Sequence, residues 1–125
     1  MTSIWHVILT AIVAVVVYDA LAAMMTLKFG YDYASFSYGS LLIYLAFGFI
    51  AGRIAAWSFG ALVGAVTGLT DSTLGWWVSW MIGPGKPAER IDNFTIVTAI
   101  VFVTSEAAIV GLIGGLLSLA TKRSA

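Results

Sequence analysis

Hydrophobic side chains fill four long runs of this sequence, and short polar or glycine-rich segments separate the runs. The runs cover about residues 4–27, 38–53, 56–82 and 94–119. A helix needs roughly 20 mostly apolar residues to cross the hydrocarbon core of a bilayer. The pattern therefore predicts an all-α, polytopic membrane protein, with four transmembrane helices packed as a bundle in a single transmembrane domain over residues 1–125.

The boundary between the second and third runs is the least distinct, because only Gly52 and Arg53 interrupt the apolar sequence there. A tight turn at this pair makes the two helices a hairpin. Without that turn, one long helix runs through the pair and the chain has three spanning helices. We favour four helices, because residues 38–83 are long enough for nearly two spans. Four helices also place the Trp and Tyr residues near the two membrane interfaces, which they prefer.

Composition supports a membrane location and excludes several kinds of function. Hydrophobic residues make up 61% of the chain and charged residues only 10%, whereas soluble domains carry about 25% charged residues. The formal net charge is zero, which removes the electrostatic case for binding nucleic acid. The chain has no cysteine, and His6 is its single histidine. We therefore expect no metal site, no cofactor and no enzymatic activity.

Small residues recur at four-residue spacing in three of the predicted helices. Faces of this kind let helix backbones approach closely in lipid, where the hydrophobic effect does not drive helices together. They comprise Gly48 and Gly52 on helix two, Gly60, Gly64, Gly68 and Gly75 on helix three, and Ala107, Gly111 and Gly115 on helix four. We interpret these faces as helix-packing surfaces. The alternative is that the glycines line a narrow path with exposed carbonyl groups.

Four ionisable side chains fall inside the predicted helices, where a charge is costly unless it faces a partner or a cavity. They are Asp19, Arg53, Asp71 and Glu106. At about 1.5 Å of rise per residue, Asp19 and Asp71 lie at nearly the same depth. Two neighbouring carboxylates do not both ionise easily, so we predict that this pair holds a proton or a cation. The alternative is that both are solvated near the interface.

Arg53 and Glu106 have opposite charges, and we predict an internal ion pair or gate between them. Helix four carries Glu106 on one face and its small residues on another, so both faces should avoid lipid. A helix with two such faces needs a neighbour on each side. This requirement predicts a homo-oligomer or association with other membrane subunits, in addition to the lipid bilayer itself.

Our leading hypothesis is a small integral membrane transporter or channel that binds a proton or cation at Asp19 and Asp71, as a homo-oligomer. The competing hypothesis is a non-catalytic accessory or scaffold subunit of a larger membrane complex. The basic residues divide evenly between the two sides, so the positive-inside rule leaves orientation open, including dual topology. We expect a multi-pass protein of a bacterial inner membrane with both termini in the cytoplasm.

Overall fold

The computed structural model describes residues 3–83 and 90–123, and across these residues the regular structure is entirely helical. Helix α1 is Ile4–Phe29 and helix α2 is Ser37–Ile54, with a short 3-10 helix, Tyr33–Phe36, between them. Helix α3 has three consecutive parts, Phe59–Thr70, a π-helical segment Asp71–Gly75, and Trp76–Ile82. Helix α4 is Asn93–Arg123. The predicted all-α bundle of four helices is confirmed.

Three of these helices, α1, α2 and α4, are long and apolar enough to cross a membrane. The parts of α3 contain 12, 5 and 7 residues. At about 1.5 Å per residue they extend together for about 35 Å, which exceeds the bilayer core of about 30 Å. We call the end of the bundle where α1 begins and α4 ends the closed end, and the opposite end, where α2 begins, the open end.

The turn between α2 and α3 is not at Gly52 and Arg53, so its predicted position was wrong. Both residues belong to the last turn of α2, and the chain turns at residues 55–58 instead. Gly52 serves packing, because a Cβ added to it would lie 2.9 Å from the Cα of Gly115 on α4. Its missing side chain therefore lets two helices touch rather than letting the chain reverse.

Helix α4 lies between α2 and α3 and contacts the backbones of both through glycine. A Cβ added to Gly111 would lie 2.3 Å from the carbonyl oxygen of Gly60 and 2.8 Å from the Cα of Gly64, both on α3. A Cβ added to Gly48 on α2 would lie 2.2 Å from the carbonyl oxygen of Gly111. We call this region of backbone contact the glycine seam. It allows three helices to approach closely in lipid.

The glycine seam removes one reason for predicting a homo-oligomer. Gly114, which the four-residue pattern did not include, packs against α2, since a Cβ there would lie 2.2 Å from the carbonyl oxygen of Leu45. With α2 on one side and α3 on the other, α4 has two neighbours within one chain. The two faces of α4 therefore do not require a second copy, and the homo-oligomer stays a prediction without that support.

The closed end is tightly packed and tied together by basic side chains. An apolar cluster fills the space between α1, α2 and α3, and its buried members are Val7, Ile8, Ala11, Ala51 and Val63. At the same end, the Lys122 ammonium group donates a hydrogen bond of 2.9 Å to the carbonyl oxygen of Gly52. This bond anchors the end of α4 to the end of α2 and satisfies a carbonyl group near a helix terminus.

At the open end, α4 begins with a cap formed by Asp92. Its Oδ1 accepts a hydrogen bond of 3.0 Å from the backbone N–H of Thr95. Two hydrogen bonds from Thr95 hold the pKa of Asp92 below its ordinary value of 3.8. The one from the Thr95 side chain has the larger effect, and the one from its backbone the smaller. Because the pKa is lowered by folding, the cap stabilises the protein above the unfolded pKa and loses this effect as the pH falls through the folded pKa.

We therefore expect Asp92→Ala to lower the melting temperature of the detergent-solubilised protein at neutral pH. At a pH below the folded pKa of Asp92, the difference in melting temperature should shrink to that of an uncharged cap, because the protonated carboxyl group still accepts a hydrogen bond from the Thr95 N–H. Asp92→Asn is the matched control, because its side-chain oxygen still caps the helix and its effect should be smaller at neutral pH. An Asp92→Ala difference that persists unchanged in acid would contradict the assignment of a charged cap.

Candidate functional site

Two buried carboxyl groups meet inside the bundle, Asp19 from α1 and Asp71 from α3. A Cβ added to Gly75 would lie 1.9 Å from Oδ2 of Asp19 and 3.3 Å from Oδ1 of Asp71. Each of the two aspartates is only 4% exposed. The structure therefore brings together the pair that depth along the helices singles out, and it holds both carboxyl groups away from lipid and bulk water.

Gly75 makes this meeting possible, and it faces a different neighbour from the other glycines of the predicted packing face on α3. Gly60 and Gly64 contact α4, whereas Gly75 faces the carboxyl group of Asp19 on α1. The cause is the π-helical segment Asp71–Gly75. A π turn contains more residues than an α turn, so it rotates the following part of the helix relative to the preceding part. A side chain at position 75 would occupy the space of the Asp19 carboxyl group.

The hydrogen bonds around the pair are asymmetric. The Tyr44 hydroxyl group on α2 donates to Oδ2 of Asp71. Oδ2 of Asp19 is buried and accepts no hydrogen bond from any group in the described part of the chain. A buried polar atom without a partner is rare and costly. A proton shared between the carboxyl groups, or a cation bound beside them, would satisfy this oxygen.

Sequence reasoning missed Tyr44, although a signal was present. Tyr44 is 2% exposed and lies within the apolar sequence of α2, at about 10 Å from the start of that helix. Tyrosine prefers the membrane interface, and a buried tyrosine hydroxyl group usually has a hydrogen-bond partner. A tyrosine inside a spanning run therefore indicates a polar partner on another helix. Its spacing cannot identify that partner.

The carboxyl pair adjoins a cavity of about 240 Å³ on the open-end side of the bundle. This space is large enough to hold several water molecules. The hydrophilic side chains around the cavity are Asp19, Ser37, Ser40, Tyr44, Asp71 and Glu106, and the apolar ones are Phe36, Leu41, Trp76 and Val103. All four helices contribute to the cavity, so its chemistry exists only in the folded bundle.

Glu106 belongs to this cavity, and the predicted ion pair between Arg53 and Glu106 was wrong. The Arg53 guanidinium group is exposed at the closed end, where Nη1 donates a hydrogen bond of 3.0 Å to the Thr121 hydroxyl group. Thr121 and Glu106 are separated by about 22 Å along α4. Arg53 lies in the last turn of α2 at the closed end, whereas Glu106 lines the cavity, so the two charges face different neighbours.

The cavity is rich in carboxyl groups, and none of the described residues that line it is basic. Asp19, Asp71 and Glu106 contribute negative charge or acidic protons, and Tyr44 contributes a hydroxyl donor. Among the described residues, no group of three or more acidic, His or Cys side chains has the arrangement of a metal site. Carboxyl groups gathered in this way can share a proton or attract a cation.

Comparisons with protein-family models, with curated proteins and with solved structures found no match. A four-helix bundle by itself does not indicate a function, because one fold carries many different activities. The features of this chain that bear on function are the carboxyl pair, the cavity beside it and the packing that surrounds both.

Proposed function

We propose that this chain is a small integral membrane transporter that binds a proton or a monovalent cation at Asp19 and Asp71. The observation that carries the proposal is the buried Oδ2 of Asp19, which has no donor in the described part of the chain and lies beside a second buried carboxyl group. Ionisable side chains inside a membrane are costly and typically mark ion or proton pathways. Glu106 adds a third carboxyl group at the same cavity.

A transporter fits the packing better than an open channel does. The cavity lies on the open-end side of the pair, where Phe36 and Ser37 border it. On the closed-end side, the glycine seam and the fully buried Val15 and Val63 fill the bundle. A binding site near mid-membrane with access from one side supports alternating access, whereas a channel needs a continuous path.

The π-helical segment of α3 supports a moving part at the site. Asp71 begins this segment, and π turns within α-helices are frequent at functional sites. Side-chain hydroxyl groups bond back to the carbonyl groups of the preceding turn, with Ser72 donating to Gly68 at 2.9 Å and Thr73 donating to Leu69 at 2.6 Å. These side-chain bonds compensate for α-helical backbone hydrogen bonds that the π-helical segment lacks. A change between π and α geometry would turn Asp71 relative to Gly75 and alter access to the pair.

Access from one side can be measured with single cysteine variants, because the chain has no cysteine of its own. Ser40 lines the cavity. We expect Ser40→Cys in proteoliposomes to react with a membrane-impermeant cationic methanethiosulfonate when the reagent is on the open-end side only. The carboxyl groups should attract the cationic reagent, so an anionic analogue should react more slowly.

Ser79→Cys is the matched control, since Ser79 is fully buried in α3 but does not line the cavity. It should not react from either side. Equal reaction of Ser40→Cys from both sides would contradict access from one side and would favour a continuous pore. Uptake by proteoliposomes carrying variants of Asp19 and Asp71 tests transport itself.

We further propose that the protein resides in a bacterial inner membrane with both termini in the cytoplasm, so that the cavity opens to the outside. The beginning of α1 and the end of α4 lie at the same end of the bundle, which supports termini on one side. In whole cells, the impermeant cationic reagent should then label Ser40→Cys directly. Labelling that requires broken cells would place the cavity on the cytoplasmic side.

The homo-oligomer is part of this proposal, although the carboxyl pair and its cavity lie within one chain. The native mass of the complex in mild detergent tests it, and a mass of one chain would contradict the homo-oligomer. Stoichiometric co-purification with different chains would favour the alternative function, an accessory subunit of a larger membrane complex.

A further inference from the structure

The polar cavity has an apolar neighbour that faces the bilayer. Trp76 on α3 and Val103 on α4 line the carboxylate cavity, and both also line a groove of about 480 Å³. Phe94, Ala99 and Phe102 of α4 border the same groove. The space beside the carboxyl groups and the space next to lipid therefore adjoin at Trp76 and Val103.

The groove is suited to a hydrocarbon chain. Phe94 and Phe102 are 79% and 67% exposed, so in a membrane they face acyl chains. Within residues 3–83 and 90–123, no charged side chain borders the groove. The hydroxyl group of Thr98, one of its few polar groups, donates within α4 to the carbonyl oxygen of Phe94 at 2.8 Å. The groove thus presents almost no unsatisfied polar atom to an apolar occupant.

The cavity is suited to an organic ammonium group. Its volume of about 240 Å³ greatly exceeds that of a bare inorganic cation, which needs oxygen ligands on several sides. Here the aromatic rings of Phe36, Tyr44 and Trp76 border the cavity together with the carboxyl groups. Substituted ammonium ions are recognised by the faces of aromatic rings and by negative charge.

We propose that the cation is an amphipathic organic ammonium. Its charged head occupies the cavity beside Asp19 and Asp71, and its apolar chain lies in the groove along Phe102. Trp76 separates the two spaces, and the ligand enters from the bilayer past this ring. An anionic lipid is disfavoured, because the carboxyl groups would repel its headgroup. This inference rests on the proposed function and specifies the substrate class of the same site.

Binding to the protein in nanodiscs of zwitterionic lipid tests the inference, with empty nanodiscs as the blank. The probes are decyltrimethylammonium, which has head and chain, tetramethylammonium, which has the head alone, and decanol, which has the chain alone. Decyltrimethylammonium should quench tryptophan fluorescence saturably and bind at least about tenfold more tightly than tetramethylammonium. Decanol should not compete with it.

Variants separate the two parts of the site. Asp19→Asn should weaken decyltrimethylammonium at least about tenfold, because it removes one partner of a buried charge pair. Phe102→Ala should weaken it about threefold to fivefold through loss of apolar contact, while binding of tetramethylammonium stays the same. Ile109→Ala is the control, because Ile109 is exposed on α4 but lies outside the groove. Its affinity should equal that of the wild type.

Equal binding of decyltrimethylammonium by wild type and Asp19→Asn would overturn the inference. Binding that depends on Asp19 but not on Phe102 would also overturn it, because the ligand would then occupy the cavity without the groove. A different result would contradict the proposed function, namely uptake of protons or inorganic cations that does not depend on Asp71. If that uptake depends on Asp71 and no ammonium probe binds, only the substrate class proposed here is wrong.

Discussion

Replacing Asp71 by Asn should reduce proton or cation uptake by proteoliposomes to the rate of empty liposomes. The substitution keeps the size of the side chain, and the amide oxygen still accepts a hydrogen bond from the Tyr44 hydroxyl group. It removes the charge and the exchangeable acidic proton at the buried pair. The fold should therefore persist while ion binding is lost. Uptake is measured with an entrapped pH dye under an imposed membrane potential, and with labelled monovalent cations.

Asp19→Asn should have the same effect, and uptake should fall to the rate of empty liposomes. Asp19 and Asp71 share one site around Gly75, so they act as a unit and the loss of either should be complete. Partial uptake that remains in each single variant and disappears only in the double variant would instead indicate two independent sites. This comparison distinguishes a shared proton or cation from two separately solvated carboxylates, the alternative that the sequence leaves open.

Asp92→Asn is the control for the same chemical change outside the membrane. Asp92 caps α4 through the backbone of Thr95 and does not line the carboxylate cavity. Its uptake rate should equal that of the wild type. Unchanged uptake by Asp71→Asn, with protons and with each monovalent cation, would contradict the proposed function.

Gly111→Ala should destabilise the bundle far more than the addition of one methyl group at an exposed position of α4. The added carbon would lie 2.3 Å from the carbonyl oxygen of Gly60 and 2.8 Å from the Cα of Gly64. These are backbone atoms, so relief requires whole helices to separate. Overpacking a well-packed site costs about 1–3 kcal/mol, and we expect a loss at the upper end of that range. Thermal unfolding in detergent measures it.

Ser105→Thr is the matched control, because it adds one methyl group at an exposed position of the same helix. Its melting temperature should stay close to that of the wild type. If Gly111→Ala melted like Ser105→Thr, α4 would not be held by direct backbone contact and the glycine seam would be wrong. A second test within the seam is Gly48→Ala, whose added carbon would lie 2.2 Å from the carbonyl oxygen of Gly111.

The helices were predictable from sequence because the bilayer imposes a simple requirement. Each span must satisfy its own backbone hydrogen bonds and present apolar side chains to lipid, so the four runs of apolar residues identify α1 to α4. Their ends were harder to locate. The turn falls at residues 55–58 rather than at Gly52 and Arg53. The sequence was ambiguous here, because a glycine near a helix end can serve either close packing or a turn.

Part of the site was also accessible without tertiary structure. Depth follows from residue count and helical rise, which is why Asp19 and Asp71 were paired. The neighbours around a helix do not follow from depth. Arg53 and Glu106 have compatible charges but contact different parts of the bundle, and α4 finds both of its neighbours within the chain.

The sequence by itself determined that this chain is an all-α membrane protein with costly carboxyl groups inside its helices. Only the tertiary structure decided what those groups face. The π-helical segment rotates α3 so that Gly75 makes room for Asp19. The hydroxyl group of Tyr44 on α2 donates a hydrogen bond to Asp71. The physical reason is that burial in lipid acts on each helix separately, whereas a site is made by rotations and contacts between helices that no single run of residues encodes.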